Sequence, residues 1–209
     1  MILRLQGVPR LHVMPPDEWQ RVHSVIYHPL SFNPSDKSDA RFSPFANAHG
    51  LIVPSLYAGN SIKAALMETV FHETPIPSAG AILLERNIAE RKWVRTSFAN
   101  TEALTLVDLT SPGLQRIGLT RPAVIDTTAT KYPETRSLAR NLYEQFPEAH
   151  GIRWVSRLYD EGTCIVLYED RIKRGMLVQT SPTTDVLDGD TMIELLDLVD
   201  QLAMRFVPS

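Results

Sequence analysis

P-S-L-Y-A-G-N-S-I-K-A-A-L-M-E-T, at residues 54–69, is the stretch of sequence that decides the fold. Its first part, Ser55–Gly59, is short, carries aliphatic and aromatic side chains and ends at a glycine, which predicts a strand followed by a turn. Asn60 or Ser61 is placed to cap a helix. Apolar residues then recur at helical spacing through residue 73. The stretch therefore predicts a strand that turns directly into a capped helix.

Three residues of different chemistry lie in this stretch or just before it. Arg41 stands in A-R-F-S-P at residues 40–44, Tyr57 lies on the predicted strand, and Glu68 lies on the predicted helix. A guanidinium binds phosphate groups, an aromatic ring offers a stacking face, and a carboxylate stabilises a developing positive charge. Because few structural requirements need all three so close together, the stretch indicates a site suited to an anionic nucleotide.

Outside this stretch, strands come in runs and helices stand between the runs. This pattern predicts an α+β fold in a single domain, residues 19–209, with mixed, mostly antiparallel sheets and flanking helices. Residues 1–18 contain three prolines and are predicted to be a loose N-terminal lead-in. Residues 28–50 contain X-Pro steps that disfavour helix, and a loop of this length is usually functional or disordered. Because it contains Arg41 and Phe42, we favour a functional loop. Further strands are predicted at 19–27, 79–85, 92–98, 104–109, 151–157 and 163–168, and helices at 134–146 and from the T-M-I-E capping box at 191–194 to about residue 206.

Composition and charge argue against several classes of protein. The 209 residues carry a formal net charge of −3 without a sustained run of Lys or Arg, which argues against direct nucleic-acid binding. Cys164 is the single cysteine, which excludes an internal disulfide framework and a multi-cysteine zinc site. No apolar run reaches the roughly 18 residues that cross a bilayer, and the N-terminal residues do not resemble a signal peptide. We therefore expect a cytoplasmic protein with no membrane partner.

Familiar catalytic motifs are absent, so the candidate residues depend on their context. The sequence contains no G-x-G-x-x-G, P-loop, H-E-x-x-H or G-x-S-x-G motif. Glu68 and His72 stand one helical turn apart, but two ligands do not hold a catalytic metal, so we expect no metal site. Arg21 and Arg41 are candidate phosphate ligands, and Ser156 is a candidate polar partner. Taken singly, each of the three is more simply explained as an ordinary surface or strand residue.

Five motifs change this interpretation because of their order: R-V-H at 21–23, P-L-S-F-N-P at 29–34, R-F-S-P at 41–44, L-Y-A-G-N-S-I-K-A-A-L-M-E-T at 56–69, and G-I-R-W-V-S-R at 151–157. Their order resembles the RES-domain family, which is named for its arginine, glutamate and serine. The resemblance runs from about Trp19 to Tyr168, and its most specific part is the block at 56–69 with the R-F upstream. The chain departs from the family at Ala40, where glycine is frequent, and at Trp154, where tyrosine often stands.

The resemblance implies a fold similar to ADP-ribosyltransferase catalytic domains, with NAD as the substrate and no other cofactor required. Members of the family cleave the nicotinamide–ribose bond and pass ADP-ribose to water, to phosphate or to a macromolecular target. Carried over by motif, Arg21 and Arg41 would clamp the diphosphate, and Tyr57 would pack against the nicotinamide or its ribose. Glu68 would stabilise positive charge at the anomeric carbon, and Ser156 would orient Glu68 or the carboxamide.

The resemblance also implies a biological role, a bacterial NAD-degrading toxin of a type II toxin–antitoxin system. Its expected partner is a co-encoded Xre-like helix-turn-helix antitoxin, and a homodimer within the complex is compatible with this role. One alternative is a mono-ADP-ribosyltransferase that modifies a protein or a target in phosphoribosyl metabolism. An alternative of another class is a non-catalytic interaction module that docks through the acidic face of the last helix, with Asp190, Glu194 and Asp197. Such a module would tolerate the loss of Arg41 and Glu68.

Overall fold

The computed structural model describes residues 5–72 and 80–209. Its strands are β1 (Leu11–Met14), β2 (Glu18–Ser24), β3 (Ser55–Gly59), β4 (Ile82–Leu84), β5 (Trp93–Asn100), β6 (Leu104–Asp108), β7 (Gly151–Val155), β8 (Thr163–Tyr168), β9 (Leu177–Gln179), β10 (Thr184–Asp185) and β11 (Arg205–Val207). Its α-helices are α1 (Ile62–Met67), α2 (Glu85–Arg91), α3 (Ser111–Arg116), α4 (Arg121–Val124), α5 (Tyr132–Gln145) and α6 (Gly189–Gln201). Short 3₁₀ turns occupy Ala129–Lys131 and Glu169–Arg171.

Most of the strands form one mixed sheet in the order β1-β6-β7-β8-β3-β2-β5-β10, and β9 also pairs with β5. Strands β6 and β7 run parallel, whereas the other neighbours in this sheet are antiparallel. Strands β4 and β11 form a separate parallel pair. The predicted α+β class with mixed, mostly antiparallel sheets is therefore confirmed.

The large sheet opens between β2 and β3. Over its seven residues β2 pairs with β5 throughout, but within the described residues it meets β3 at a single register position, Gln20 opposite Gly59. On its other side β3 pairs with β8 from end to end. Beyond Gln20, the two central strands therefore part and leave a gap in the middle of the sheet.

Helix α1 begins where the sequence predicts it. Ser61 has extended backbone angles, and its side chain accepts a hydrogen bond from the Ala64 amide at 3.1 Å, which satisfies one of the free amides of the first turn. The helix lies so close to β3 that a Cβ on Gly59 would stand 2.8 Å from the Ala64 Cβ and 2.9 Å from the Ala65 nitrogen. The missing side chain at Gly59 therefore sets the distance between β3 and α1.

Apolar side chains anchor the helices to both sides of this gap. Helix α5 packs Leu138 and Leu142 against a cluster that includes Ile152 of β7. Helix α1 contributes Leu66 to a second cluster, which also contains Leu195 of α6. Burial of side chains of this size stabilises a fold by about 1.5–3 kcal/mol each, so the residues at the gap rest on two firmly packed groups of helices.

The structure corrects several element boundaries. The lead-in predicted over residues 1–18 contains β1, which pairs with β6 in the large sheet, so residues 11–14 are not loose; residues 1–4 lie outside the described residues. The predicted helix over 62–73 ends at Met67, with Glu68 as its C-terminal cap, and Glu73 lies outside the described residues. The strand predicted over 151–157 ends at Val155, which places Ser156 in the following loop.

The C-terminal helix also differs from the prediction. Asp188, not a T-M-I-E capping box, caps α6, because its side chain accepts from the Gly189 amide at 2.8 Å. The helix ends at Gln201 rather than near Phe206, since Ala203 adopts a positive φ of 51° and Phe206 belongs to β11. Helix α2 was not predicted and follows directly on β4. In the described ranges, no helix has the length and apolarity needed to cross a bilayer.

Candidate active site

A cavity of about 290 Å³ lies where β2 and β3 part. Its lining includes four of the five site residues that the sequence predicts: Arg21, Arg41, Tyr57 and Glu68. Ser156 does not line the cavity, because it is fully buried behind it. Its hydroxyl contacts Glu68 directly, so the fold brings the five predicted residues together around one space.

Glu68 is held from behind by the loop that follows β7. The Ser156 hydroxyl donates to Glu68 Oε1 at 2.6 Å, and the Arg157 amide approaches the same oxygen at 3.4 Å. Ser156 Oγ in turn accepts from the Leu158 amide at 3.3 Å. The described residues donate only to Oε1, so Oε2 retains its hydrogen-bonding capacity for a ligand. Glu68 is the C-terminal cap of α1. The end of the helix fixes its backbone, and its side chain extends to this loop.

Arg121 fixes the loop that carries Ser156, and no sequence pattern pointed to this residue. Its guanidinium donates to the Ser156 carbonyl at 2.5 Å and forms an ion pair with Asp126 at 3.1 Å. The Ser156 amide also donates to the Gly162 carbonyl at 2.8 Å. The serine that orients Glu68 is thus held through both its backbone groups. Arg121 opens α4, more than thirty positions before the serine, so local sequence carries no signal of the contact.

Arg41 is a buried cation, 3% exposed, without an ion-pair partner among the described residues. Its Nη1 donates to Thr127 Oγ1 at 2.7 Å and to the Val124 carbonyl at 3.2 Å. The Arg41 carbonyl accepts from the Thr135 hydroxyl at 2.5 Å, and its guanidinium lies 5.2 Å from the centre of the Tyr132 ring. Burial lowers the pKa of Arg41, but a guanidinium stays charged at neutral pH. These contacts fix a positive charge beside Glu68.

Arg21, on β2 at the other side of the gap, is a second buried cation whose guanidinium donates to protein oxygens. Its Nη1 donates to the carbonyls of Pro29 and Ser31 at 2.6 and 2.9 Å. Burial lowers the pKa of Arg21 to about 10, which leaves it charged at neutral pH, and it makes no ion pair within the described ranges. A buried charge is costly unless it is paired. Two such arginines on one cavity make it suited to an anionic ligand.

Tyr57 joins the loop that carries Arg41 to strand β3. Its hydroxyl accepts from the Phe42 amide at 3.2 Å and lies 3.1 Å from the Ser43 hydroxyl. Burial raises the pKa of Tyr57 to about 12, so the phenol is neutral. The ring meets Trp154 edge to face with centroids 6.0 Å apart. Tyr57 therefore offers part of its ring to the cavity and uses its hydroxyl to hold the loop.

Three further side chains near Glu68 form a network that sequence patterns did not assign to the site. The Tyr132 hydroxyl and His72 Nε2 are 2.9 Å apart, and Arg157 donates to the His72 carbonyl at 3.2 Å. The Tyr132 ring also lies under the Arg41 guanidinium. Tyr132 therefore contacts both Arg41 and His72. Among the described residues, no three His, Cys, Asp or Glu side chains come together as a metal-binding group.

Comparisons with known proteins identify the family of the chain. The family model of the RES domain matches residues 18–187. The chain belongs to the RES-domain family. The matched region contains every residue that lines the cavity, from Gln20 to Cys164. The predicted family resemblance is therefore confirmed.

A solved structure shares the fold of this RES-domain protein. A chain of the crystal structure of the M. tuberculosis MbcT–MbcA toxin–antitoxin complex superposes with a TM-score of 0.61 at 17% sequence identity, and the match covers 91% of each chain. No curated protein matches the sequence. At this level of identity the structural likeness concerns the fold.

Proposed function

We propose that this RES-domain protein cleaves the nicotinamide–ribose bond of NAD, as the toxin of a toxin–antitoxin pair. The observation that carries the proposal is the cavity between β2 and β3. It combines two buried arginines that lack carboxylate partners in the described residues with a carboxylate whose Oε1 is fixed by Ser156. NAD is an anionic diphosphate with a positively charged leaving group, so it complements both kinds of charge.

The two arginines would bind the diphosphate and position the ribose. Each guanidinium uses one nitrogen for protein oxygens, Arg21 towards Pro29 and Ser31 and Arg41 towards Thr127. The remaining N–H groups stay for the phosphate oxygens, with no need to rearrange the protein when the substrate enters. Fixed donors of this kind are worth more than the same groups in water, because their orientation is already set.

Glu68 would stabilise the transition state. The C1′–N bond breaks with its electron pair moving to the pyridinium nitrogen, so neutral nicotinamide leaves and positive charge develops across C1′ and the ring oxygen of the ribose. The carboxylate, oriented by the Ser156 hydroxyl at 2.6 Å, offsets this charge. Water then adds to C1′ and loses a proton, which yields ADP-ribose. Inorganic phosphate in the same position would yield the phosphorylated sugar.

The molecule that accepts ADP-ribose distinguishes this proposal from the transferase alternative. Cleavage of the glycosidic bond needs the same residues whether ADP-ribose passes to water, phosphate or a protein. Within the described residues, nothing on the cavity marks a docking site for a protein acceptor. We therefore favour a small acceptor, and ADP-ribose attached to protein in expressing cells would point instead to the transferase.

The proposed partner is an antitoxin that blocks the cavity. The RES-domain family membership and the shared fold with a chain of a toxin–antitoxin complex support this role. We propose a cytoplasmic complex with a co-encoded helix-turn-helix protein. An interaction module without catalysis would leave two buried, unpaired arginines unexplained, so we place it last.

The test is release of nicotinamide from NAD by purified protein, with Glu68→Gln as the main variant. The amide keeps the size of the side chain but not its charge, so we expect turnover to fall on the order of 10²–10³ with little change in melting temperature. Glu90→Gln, on the exposed surface of α2, is the matched control and should cleave at the wild-type rate. Repeating the assay with inorganic phosphate distinguishes hydrolysis from phosphorolysis. Equal rates for wild type and Glu68→Gln would contradict the proposal.

A further inference from the structure

Arg91 and Trp93 line the same cavity, and no role has yet been given to them. The Arg91 guanidinium lies over the Trp93 ring at 5.7 Å from its centre. Lys92, between them, adopts a positive φ of 49° and ends α2, so the chain reverses and brings the two side chains together. Arg91 is exposed and Trp93 is half-buried, so the guanidinium lies over the indole and stays accessible to a ligand.

Arg91 and Trp93 lie at the end of the cavity that is away from the junction of β2 and β3. Trp93 stands opposite Ser24 on β2, whereas the junction of β2 and β3 is at Gln20 and Gly59. Ser24 is four positions from Gln20, which is about 14 Å along a strand at 3.4 Å per residue. Arg21 lies between these two positions on the same strand. Glu68 lies towards the junction, because its partner Ser156 follows Trp154, which is level with Gly59 through Cys164. The cavity thus has Glu68 towards one end and the Arg91–Trp93 pair at the other.

Charge decides which end of NAD fits each end of the cavity. The nicotinamide ring of NAD carries a positive charge, which Glu68 attracts and which the Arg91 guanidinium repels. Adenine is neutral, and bases stack readily on the plane of an arginine or on an aromatic ring. With the scissile bond at Glu68 and the diphosphate at Arg21, the adenine end is directed towards Arg91 and Trp93.

We infer that Arg91 and Trp93 form a stacking subsite for the adenine base of the substrate, with the base on the exposed guanidinium face and the indole behind it. This inference rests on the proposed NAD-cleaving function for the direction of the substrate. The stacking surface itself needs only a neutral purine carrying a phosphate, and AMP is the simplest such molecule.

The first experiment measures binding of AMP, which has no bond to cleave and so does not depend on catalysis. Trp93 is the one half-buried tryptophan of the three in the chain, since Trp19 and Trp154 are 0% and 1% exposed. Titration with AMP should therefore quench the intrinsic fluorescence in a saturable way, and Trp93→Phe should remove most of the signal. Calorimetry should show AMP affinity about tenfold lower in Arg91→Ala and in Trp93→Ala. Arg86→Ala, on the exposed surface of the same helix, is the matched control and should bind AMP like the wild type.

The second experiment compares NAD with nicotinamide mononucleotide, which lacks the adenosine half. The ratio of kcat/KM for NAD to that for the mononucleotide should fall about tenfold in Arg91→Ala and in Trp93→Ala, mainly through KM for NAD. NAD cleavage with an unchanged ratio and no AMP binding would overturn the subsite and leave the proposed function intact. AMP binding that both substitutions weaken would support the subsite even if NAD were not cleaved.

Discussion

At the scale of single residues, buried polar groups of this protein are fixed mainly by carbonyl and hydroxyl oxygens. Arg21 and Arg41 follow this pattern, and so does His23 on β2. His23 Nδ1 lies 3.0 Å from the Ser24 carbonyl and must donate to it, so in the neutral ring Nε2 accepts from the Thr96 hydroxyl at 3.0 Å. A neutral histidine therefore suits the folded state better than a charged one.

Acid should destabilise the protein in part through His23. Burial, and then the nearby charge of Arg21, lower the pKa of His23, so below about pH 6.5 the unfolded chain binds more protons than the folded chain. The free energy of unfolding should therefore fall as pH decreases from about 6.5, by at most about 1.4 kcal/mol per pH unit for this one group. Urea denaturation between pH 7 and pH 5 measures the slope, and His23→Gln should flatten it. A slope as steep in the variant as in the wild type would rule out this origin.

At the scale of secondary-structure elements, the decisive contact is the close approach of β3 and α1. Gly59 ends β3, and Ala64 and Ala65 lie on the facing side of α1. The helix carries Glu68 at its end, while β3 carries Tyr57. The spacing between these two elements therefore sets the distance between Tyr57 and Glu68, as well as the local stability.

Gly59→Ala should lower both stability and turnover. The added Cβ would stand 2.8 Å from the Ala64 Cβ and 2.9 Å from the Ala65 nitrogen, which forces α1 away from β3. Overpacking of this kind typically costs about 1–3 kcal/mol, and thermal unfolding measures it. Ala64→Gly in the same chain should recover part of the loss, because it removes one of the two contacts. A melting temperature equal to that of the wild type would show that the helix moves freely.

Sequence patterns predicted the elements that depend on interactions between neighbouring residues in the chain. The Ser61 cap, the strand at 55–59 and the core helix around Leu138 follow from residues next to one another in the chain. The early end of α6 does not, because Phe206 is drawn into β11 by pairing with Leu83, far away in the sequence. The same reason hid β1, whose partner is β6.

The residues of the candidate site also divide into those that the sequence could identify and those that it could not. The motifs around Arg21, Arg41, Tyr57, Glu68 and Ser156 could be found because each residue has a characteristic neighbourhood in the sequence. The roles of those residues remain predictions. The supports in the structure could not be found from sequence, since the Arg121 contact to the Ser156 carbonyl and the Tyr132 contact to Arg41 join segments with no common pattern.

At the scale of the whole molecule, the cavity joins parts that are distant in the chain. Arg21 comes from β2, Arg41 from a long loop and Glu68 from the end of α1. Ser156, which contacts Glu68 from behind the cavity, comes from the loop after β7. A binding module could lose any one of these residues without an effect on metabolism. An enzyme could not, because the charges act on one substrate.

Induced expression in bacterial cells should therefore lower the cellular NAD level and arrest growth. Arg41→Ala and Glu68→Ala, expressed to the same level, should leave NAD and growth unchanged, because the first removes a proposed phosphate ligand and the second removes the carboxylate proposed to stabilise the transition state. Enzymatic cycling assays of NAD in cell extracts measure the effect. Growth arrest with steady NAD would favour transfer of ADP-ribose to a target, and normal growth with steady NAD would favour an interaction module.

The position of β3 between β2 and β8 has a consequence for the order of synthesis. Strand β8 begins at Thr163, and Cys164 within it lines the cavity. A nascent chain still on the ribosome lacks this neighbour until about three quarters of the 209 residues have been translated. The cavity between β2 and β3 therefore lacks part of its wall in an unfinished polypeptide, and we expect it to bind a ligand only once β8 has been synthesised and has paired with β3.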